Sequence, residues 1–590
     1  MRWLFILVSV LLTAAFACGT ESTPSGLTET TAISPTQPPA ATPAARAPGP
    51  TAVAAAPAST PSDSGGPAAT PTPTRRLLSA AQSQPKVVED AILYRLGPEP
   101  PTLDPHLAGD TSSALYMVEI FGGLVTINQH LEIVGDLAKD WDISNGGKTY
   151  TFHLREDAKF HDGKPVTAQD FKWSLERVSD PATEATLADV FLGDIVGYTD
   201  KLEGRASSIE GVRVIDDNTL SITIDAPKAY FLAKLTYPSA FVLDRNNVEG
   251  NPRWFEKPNG TGPFRLTEYE PGVIIRLTRN EFYHLGVSKL AEVEFLISGG
   301  DAMLMYENDE IHVTGIGLIN LDAILDPSNP LSRDVIQAPP SFDVAYVGMN
   351  ASEPPFDDVK VRQALNYAVD KQTLSEVLLQ GLVVPAHGIL PPSFPGYSSE
   401  IKGYDYDPEK AKRLLAESKY GDNLDDFPRI VLTLPGSFGA PVSPVMEAII
   451  QMWRENLGIE LELLQTEWAI FLGDLKKKRF QMFGGLGWIA DYPDPENFLD
   501  LLFHSESSNN HTKYSNLEVD RLLEEARVEL DEATRFEIYH RVEQMIMDDA
   551  PWVPLWHGDS GYALVKPNVK DYFLFPMVIP RFRYVYITEE

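Results

Sequence analysis

The densest group of chemically able side chains is Gly487–Phe498, where Trp488, Tyr492 and Phe498 are interspersed with Asp491, Asp494 and Glu496 around Pro493 and Pro495. A residue before proline is pushed out of the α region, and proline withholds an amide donor, so the segment extends or turns. The apolar run ending at Leu486 reads as a strand, which places Trp488 and Asp491 where that strand gives way to a loop. Such exits commonly carry ligand contacts. Three closely spaced acids also raise general acid–base chemistry, but that needs two carboxylates facing a substrate between them. In an extended loop Asp491 and Asp494 point apart. The chain has no Gly-x-Ser-x-Gly nucleophile turn and no His-Glu-x-x-His zinc helix. Its histidines, such as His106, His161, His387 and His557, are scattered without helical ligand spacing, so no metal, haem or other cofactor is expected. The expectation is a binding protein, not an enzyme.

Mixed elements position this loop. Ala91 to Leu96 reads as a strand, and Lys148 to Arg155 alternates with Tyr150, Phe152 and Leu154 on one face. Thr167-Ala168-Gln169-Asp170 has the form of a capping box, opening a helix with Phe171, Ser174, Leu175 and Val178 on its buried stripe. Another strand runs from Thr219 to Ile224. Further on, Asp357 and Asp358 cap a helix through Val361 and Leu365, and Asp407-Pro408 opens one that closes at Tyr420-Gly421. The strand Arg429–Leu434, a helix from Ser443-Pro444 to Leu457-Gly458 and the strand Ile459–Leu463 form a βαβ unit with parallel strands. Amphipathic helices follow at Asp520–Leu530 and Ala533–Met547. The fold class is α/β with two lobes, the second beginning near Asp343, and ligands of such proteins favour the cleft between lobes.

With 590 residues, 43% of them apolar, the chain has material for a large core. A net charge of −34 excludes a nucleic-acid or anionic-membrane surface. Residues 1–17 have the order of a signal peptide: Arg2, the apolar run Trp3–Leu12, then small residues up to Ala17. Cys18, the sole cysteine, follows directly, so no intramolecular disulfide can form. From Thr20 to about Ala81 the chain is rich in Pro, Thr, Ala and Ser and reads as a disordered tether.

The residues before and after this tether support two resemblances. Ala17-Cys18-Gly19 resembles a bacterial lipobox, with Ala15 where Leu is usual, which implies a lipid anchor through Cys18 on the outer face of the cell membrane or in the periplasm. Leu137-Ala138-Lys139-Asp140-Trp141, Phe160-His161-Asp162-Gly163, Asn259-Gly260-Thr261-Gly262-Pro263-Phe264, Pro354-Pro355-Phe356-Asp357-Asp358-Val359 and Gly487-Trp488-Ile489-Ala490-Asp491-Tyr492 resemble, in order, the family 5 solute-binding proteins of ABC importers.

The second resemblance implies a periplasmic-binding-protein-like class II fold. Its layout here would be a tether at 18–87, lobe I with an inserted subdomain at 88–343, lobe II at 344–552 and a return to lobe I at 553–590. It also implies a monomer that captures short peptides and delivers them to permease subunits, with Asp491 receiving the ligand ammonium and Trp488, Trp468 and Tyr492 around it. A carboxylate suits that role on chemical grounds, because charge-assisted hydrogen bonds to an ammonium are strong. Peptide-binding relatives can carry Arg where this chain has Gly485, so the group meeting the peptide carboxylate is left open; the run Lys476–Arg479 reads as solvated. Oligosaccharide is the alternative ligand, since Trp488 and Trp468 would also stack on sugar rings.

Overall fold

The computed structural model describes residues 86–589, apart from Thr186, 422–426 and 438–439. The expected signal segment, Cys18 and the expected tether as far as residue 85 lie outside the described residues. The folded unit begins slightly earlier than residue 88: Val87 bridges Thr588, and the Val88 amide donates to the Ile587 carbonyl at 2.8 Å.

Two large sheets dominate. The first has seven strands in the spatial order Val335–Gln337, Tyr562–Val565, Val313–Gly315, Ala91–Leu96, Leu290–Leu296, Ile274–Arg279, Phe264–Glu270. The second has six, in the order Val383–Pro385, Trp552–Gly558, Asp343–Met349, Met482–Ile489, Ile430–Pro435, Leu461–Thr466. The chain crosses between them twice, from Gln337 to Asp343 and from Gly558 to Tyr562. The second crossing corrects the boundary placed at 553. Val553 pairs with Val347 inside the six-stranded sheet, so the return follows Gly558. Pro551 does mark the end of a helix, but the strand after it stays in the same sheet.

Between Ala138 and Thr223 a four-stranded sheet is inserted, ordered Ala138–Ser144, Thr149–Leu154, Thr219–Thr223, Val212–Asp216. Tyr150, Phe152 and Leu154 point into its core as their alternation requires. The helix Ala168–Val178 covers it, opened by the reciprocal Thr167–Asp170 capping box.

The βαβ unit is present, with Ile430–Pro435 and Leu461–Thr466 parallel. Its helix, Pro444–Leu457, starts at the Ser443 cap and stops at Gly458, whose φ of 70° a residue with a Cβ adopts only with strain. Trp453 is fully buried on this helix and satisfies its indole by donating to the Leu365 carbonyl at 2.9 Å. The helix from Pro408 ends at Ala416, short of Tyr420, because the Ser418 hydroxyl takes the Leu415 carbonyl at 2.7 Å and turns the chain. No helix among the described residues is long and apolar enough to cross a membrane.

Candidate functional site

A cavity of about 500 Å³ opens between residues 109–238 on one side and the second sheet with its helices on the other. The strand Met482–Ile489 runs antiparallel to Asp343–Met349, with Trp488 opposite Val344 and Gly487 opposite Ala345. Gly487 is required by crowding, since a Cβ there would sit 2.9 Å from the Val344 carbonyl oxygen.

Where this strand ends, a single amide organises the loop. Asn497, fully buried, accepts through Oδ1 from the Asp491 backbone N–H at 2.9 Å and from Trp488 Nε1 at 3.2 Å, and donates Nδ2 to Asp491 Oδ2 at 3.2 Å. Trp488 and Asp491 both line the cavity in orientations fixed by this side chain. Burial pushes the Asp491 carboxyl up to about 7; the Asn497 bond opposes the rise and the charge on Glu496 adds to it. Among the described residues Asp491 forms no ion pair. Sequence reasoning missed Asn497, whose only signal is its place six residues after the acid.

The other two acids of the loop are committed elsewhere. Asp494 is held by Arg535 Nη1 at 2.9 and 2.8 Å, and Glu496 by Lys234 Nζ at 2.9 Å. The three carboxylates therefore do not share a substrate position.

Trp468 lines the same cavity from the first turn of the helix Trp468–Lys476 and stacks on Phe471 with centroids 5.9 Å apart. Leu472, Leu475 and Lys476 follow at helical spacing on that face, which brings Lys476 to the cavity. This corrects the reading of 476–479 as a solvated run: Lys477 and Arg479 are exposed, and Lys478 donates to the Ser507 carbonyl at 2.9 Å. Burial lowers the Lys476 pKa, and Asp110 opposes that fall. Asn509 and His511 also face the cavity, and Asn509 Nδ2 and His511 Nε2 are buried without hydrogen-bond partners. Burial, with Lys478 and Lys476 nearby, drops the His511 pKa to about 3, so the ring is neutral.

Tyr492 departs from its expected role. It does not line the cavity; it is fully buried, donates its hydroxyl to the Glu496 carboxylate and meets Phe191 edge-on at 6.2 Å. Its ring belongs to the core built around the inserted four-stranded sheet. The side chain opposite in direction to Asp491 thus joins the two sides of the cavity.

The sequence profile of the bacterial extracellular solute-binding proteins, family 5 middle region, matches residues 132–510. The chain belongs to this family. It is 30% identical over 493 residues to the dipeptide-binding protein DppE of Bacillus subtilis, covering 81% of this chain and 88% of that one. It is 33% identical over 456 residues to heme-binding protein A of Haemophilus influenzae, covering 75% and 81%. Among solved structures, the murein tripeptide-binding protein MppA of Escherichia coli superposes with a TM-score of 0.77 at 27% identity, covering 85% of this chain and 100% of that one. The two-lobed α/β fold and the solute-binding role follow from this membership.

Proposed function

We propose that this solute-binding protein captures short peptides outside the cell membrane and delivers them to an ABC permease, without catalysis of its own. The observation that carries the reading is the Asp491 carboxylate: it faces the cavity, forms no ion pair among the described residues and is aimed by Asn497. A peptide ammonium supplies the countercharge such a group lacks. Trp488 and Trp468 offer apolar walls for side chains, and Lys476, Asn509 and His511 offer polar groups for peptide amides. Relatives named for dipeptides and for a murein tripeptide support the same class of ligand. Lobe I is proposed as residues 86 to about 340 with the return after Gly558, lobe II as the part between, and the two crossings as the hinge about which a monomer closes. Cys18 is proposed as the lipidated end of the mature chain, with the tether holding the binding unit near the permease.

Native mass spectrometry of the purified protein, followed by analysis of what denaturation releases, tests the reading. Short peptides with free amino ends are expected. A hexose series or haem would overturn the ligand class.

A further inference from the structure

The Asp491 cavity has a neighbour. A second cavity, about 530 Å³, is walled by the two crossings between the sheets, and Asp343 lines both cavities. The boundary falls within a few residues on each strand. Ser341 faces the second cavity and Val344 the first; Gly558 faces the second and Trp556 the first. The two spaces therefore lie side by side along the same pair of strands.

Two guanidinium groups line the second cavity. Arg95 donates Nε to the Leu96 carbonyl at 3.1 Å and Nη1 to the Tyr572 hydroxyl at 3.0 Å, with Phe295 and Phe582 rings 5.4 and 5.6 Å from its centre. Arg581 lies 5.9 Å from the Phe575 ring centre, and its Nε is buried without a partner. Among the described residues neither guanidinium forms an ion pair. Glu119, beside Arg581, uses Oε1 to accept the backbone N–H of Arg581 and Phe582 at 2.7 and 3.2 Å. Asp343, the acid in the wall, accepts the Gly558 amide at 2.8 Å. Two cations thus share a cavity with one carboxylate, and donors remain unused. Guanidinium is the side chain best matched to a carboxylate, which it binds with two parallel hydrogen bonds.

We propose that this second cavity receives the carboxyl-terminal end of the peptide, with Arg95 and Arg581 holding its carboxylate while Asp491 holds the amino end. The inference rests on the peptide reading above and deepens it. The ligand class becomes peptides long enough to cross from one cavity to the other, each residue adding at most about 3.6 Å of reach. Shorter peptides leave the guanidinium pair without a countercharge.

Isothermal titration of the full-length protein with peptides of two to about six residues, each as free acid and as carboxyl-terminal amide, tests this. Beyond a threshold length, amidation should weaken binding by at least about tenfold. That ratio should fall towards one in Arg95→Gln and in Arg581→Gln, with Arg95→Lys intermediate. Equal binding of acid and amide at every length in the unaltered protein overturns the inference without any variant having to fold, and so does a ratio that survives both substitutions. Citrate titrated alone is the control for a free anion: heat that requires Arg95, with no amide effect, means a separate anion site and also overturns the inference. If no peptide of any length binds, the peptide reading itself fails.

Discussion

Lys234 Nζ lies 2.9 Å from Glu496 Oε1, and both side chains are only 5% exposed. Lys234 ends the short helix Phe231–Lys234 and also reaches Asp194 Oδ2 at 3.1 Å, while Glu496 accepts the Tyr492 hydroxyl. A buried ion pair therefore ties the loop carrying Asp491 to residues across the cavity. Burial and the charge on Asp500 push the Glu496 carboxyl up, and Lys234 opposes them. Paired, the two charges satisfy one another; separated in the same low-dielectric surroundings, either would be costly.

Removing one partner should therefore hurt more than removing both. Lys234→Met is expected to cost about 3–5 kcal/mol in urea unfolding, because Glu496 is left buried and unpaired. Adding Glu496→Gln should recover part of that loss. Double-mutant values that add to within about 0.5 kcal/mol would mean that the pair is not coupled.

Tyr492→Phe separates two roles for the aromatic beside Asp491. The hydroxyl is buried against Glu496 and lies off the cavity, so stability should fall by about 1–3 kcal/mol while peptide affinity changes little. A large loss of affinity with unchanged unfolding would return Tyr492 to the ligand surface.

This pair of neighbours marks the limit of what the residue pattern disclosed. Period-two burial at Thr149–Leu154, the capping box at Thr167 and the Pro444 to Gly458 helix were all legible, because each is set by interactions within a few residues. The Asp491 loop exit was legible for the same reason. Which way Tyr492 points was not, since the core that accepts it is built from residues 124–242. Lys476 was misread because a run of four basic residues hides a helix ending, after which successive side chains diverge. Arg95 and Arg581 lie nearly five hundred positions apart, and only the return of the chain into the first sheet brings them to one cavity.

Asp491 sets an expected pH dependence. An acid whose pKa is raised from 3.8 to about 7 on folding holds its proton more tightly in the native state. Stability of the peptide-free protein then declines as pH rises from about 4 to about 7 and levels above that. Comparing unfolding of the unaltered protein with Asp491→Asn isolates this part from Glu119 and Glu543, which burial also pushes up to about 7. Peptide binding runs the other way, because the ammonium needs the ionised carboxylate: affinity should climb through pH 7 and fall once the free α-amino group, with a pKa of about 7.7–8.0, loses its proton. Asp491→Asn should weaken binding roughly 100- to 1000-fold at pH 7.5 and flatten the rising limb. Titration calorimetry from pH 5 to 9 reads both, and an unchanged profile in the variant would remove Asp491 from the site.

Gly485 tests whether this chain could use the arginine that peptide-binding relatives can carry there. Its φ is +71°, and a Cβ would stand 3.2 Å from Pro435 Cδ. The left-handed backbone costs a residue with a Cβ about 1–2 kcal/mol before any contact is counted. Gly485→Ala should therefore lower stability by that amount, and Gly485→Arg by at least as much, whatever the arginine does for the ligand. The backbone at this bulge, where the pairing register shifts between Tyr346 and Gly348, has been shaped for glycine. If Gly485→Arg unfolds like the unaltered protein, the strain argument fails, and tighter binding of free-acid peptides by that variant would show that an arginine at 485 can meet the peptide carboxylate.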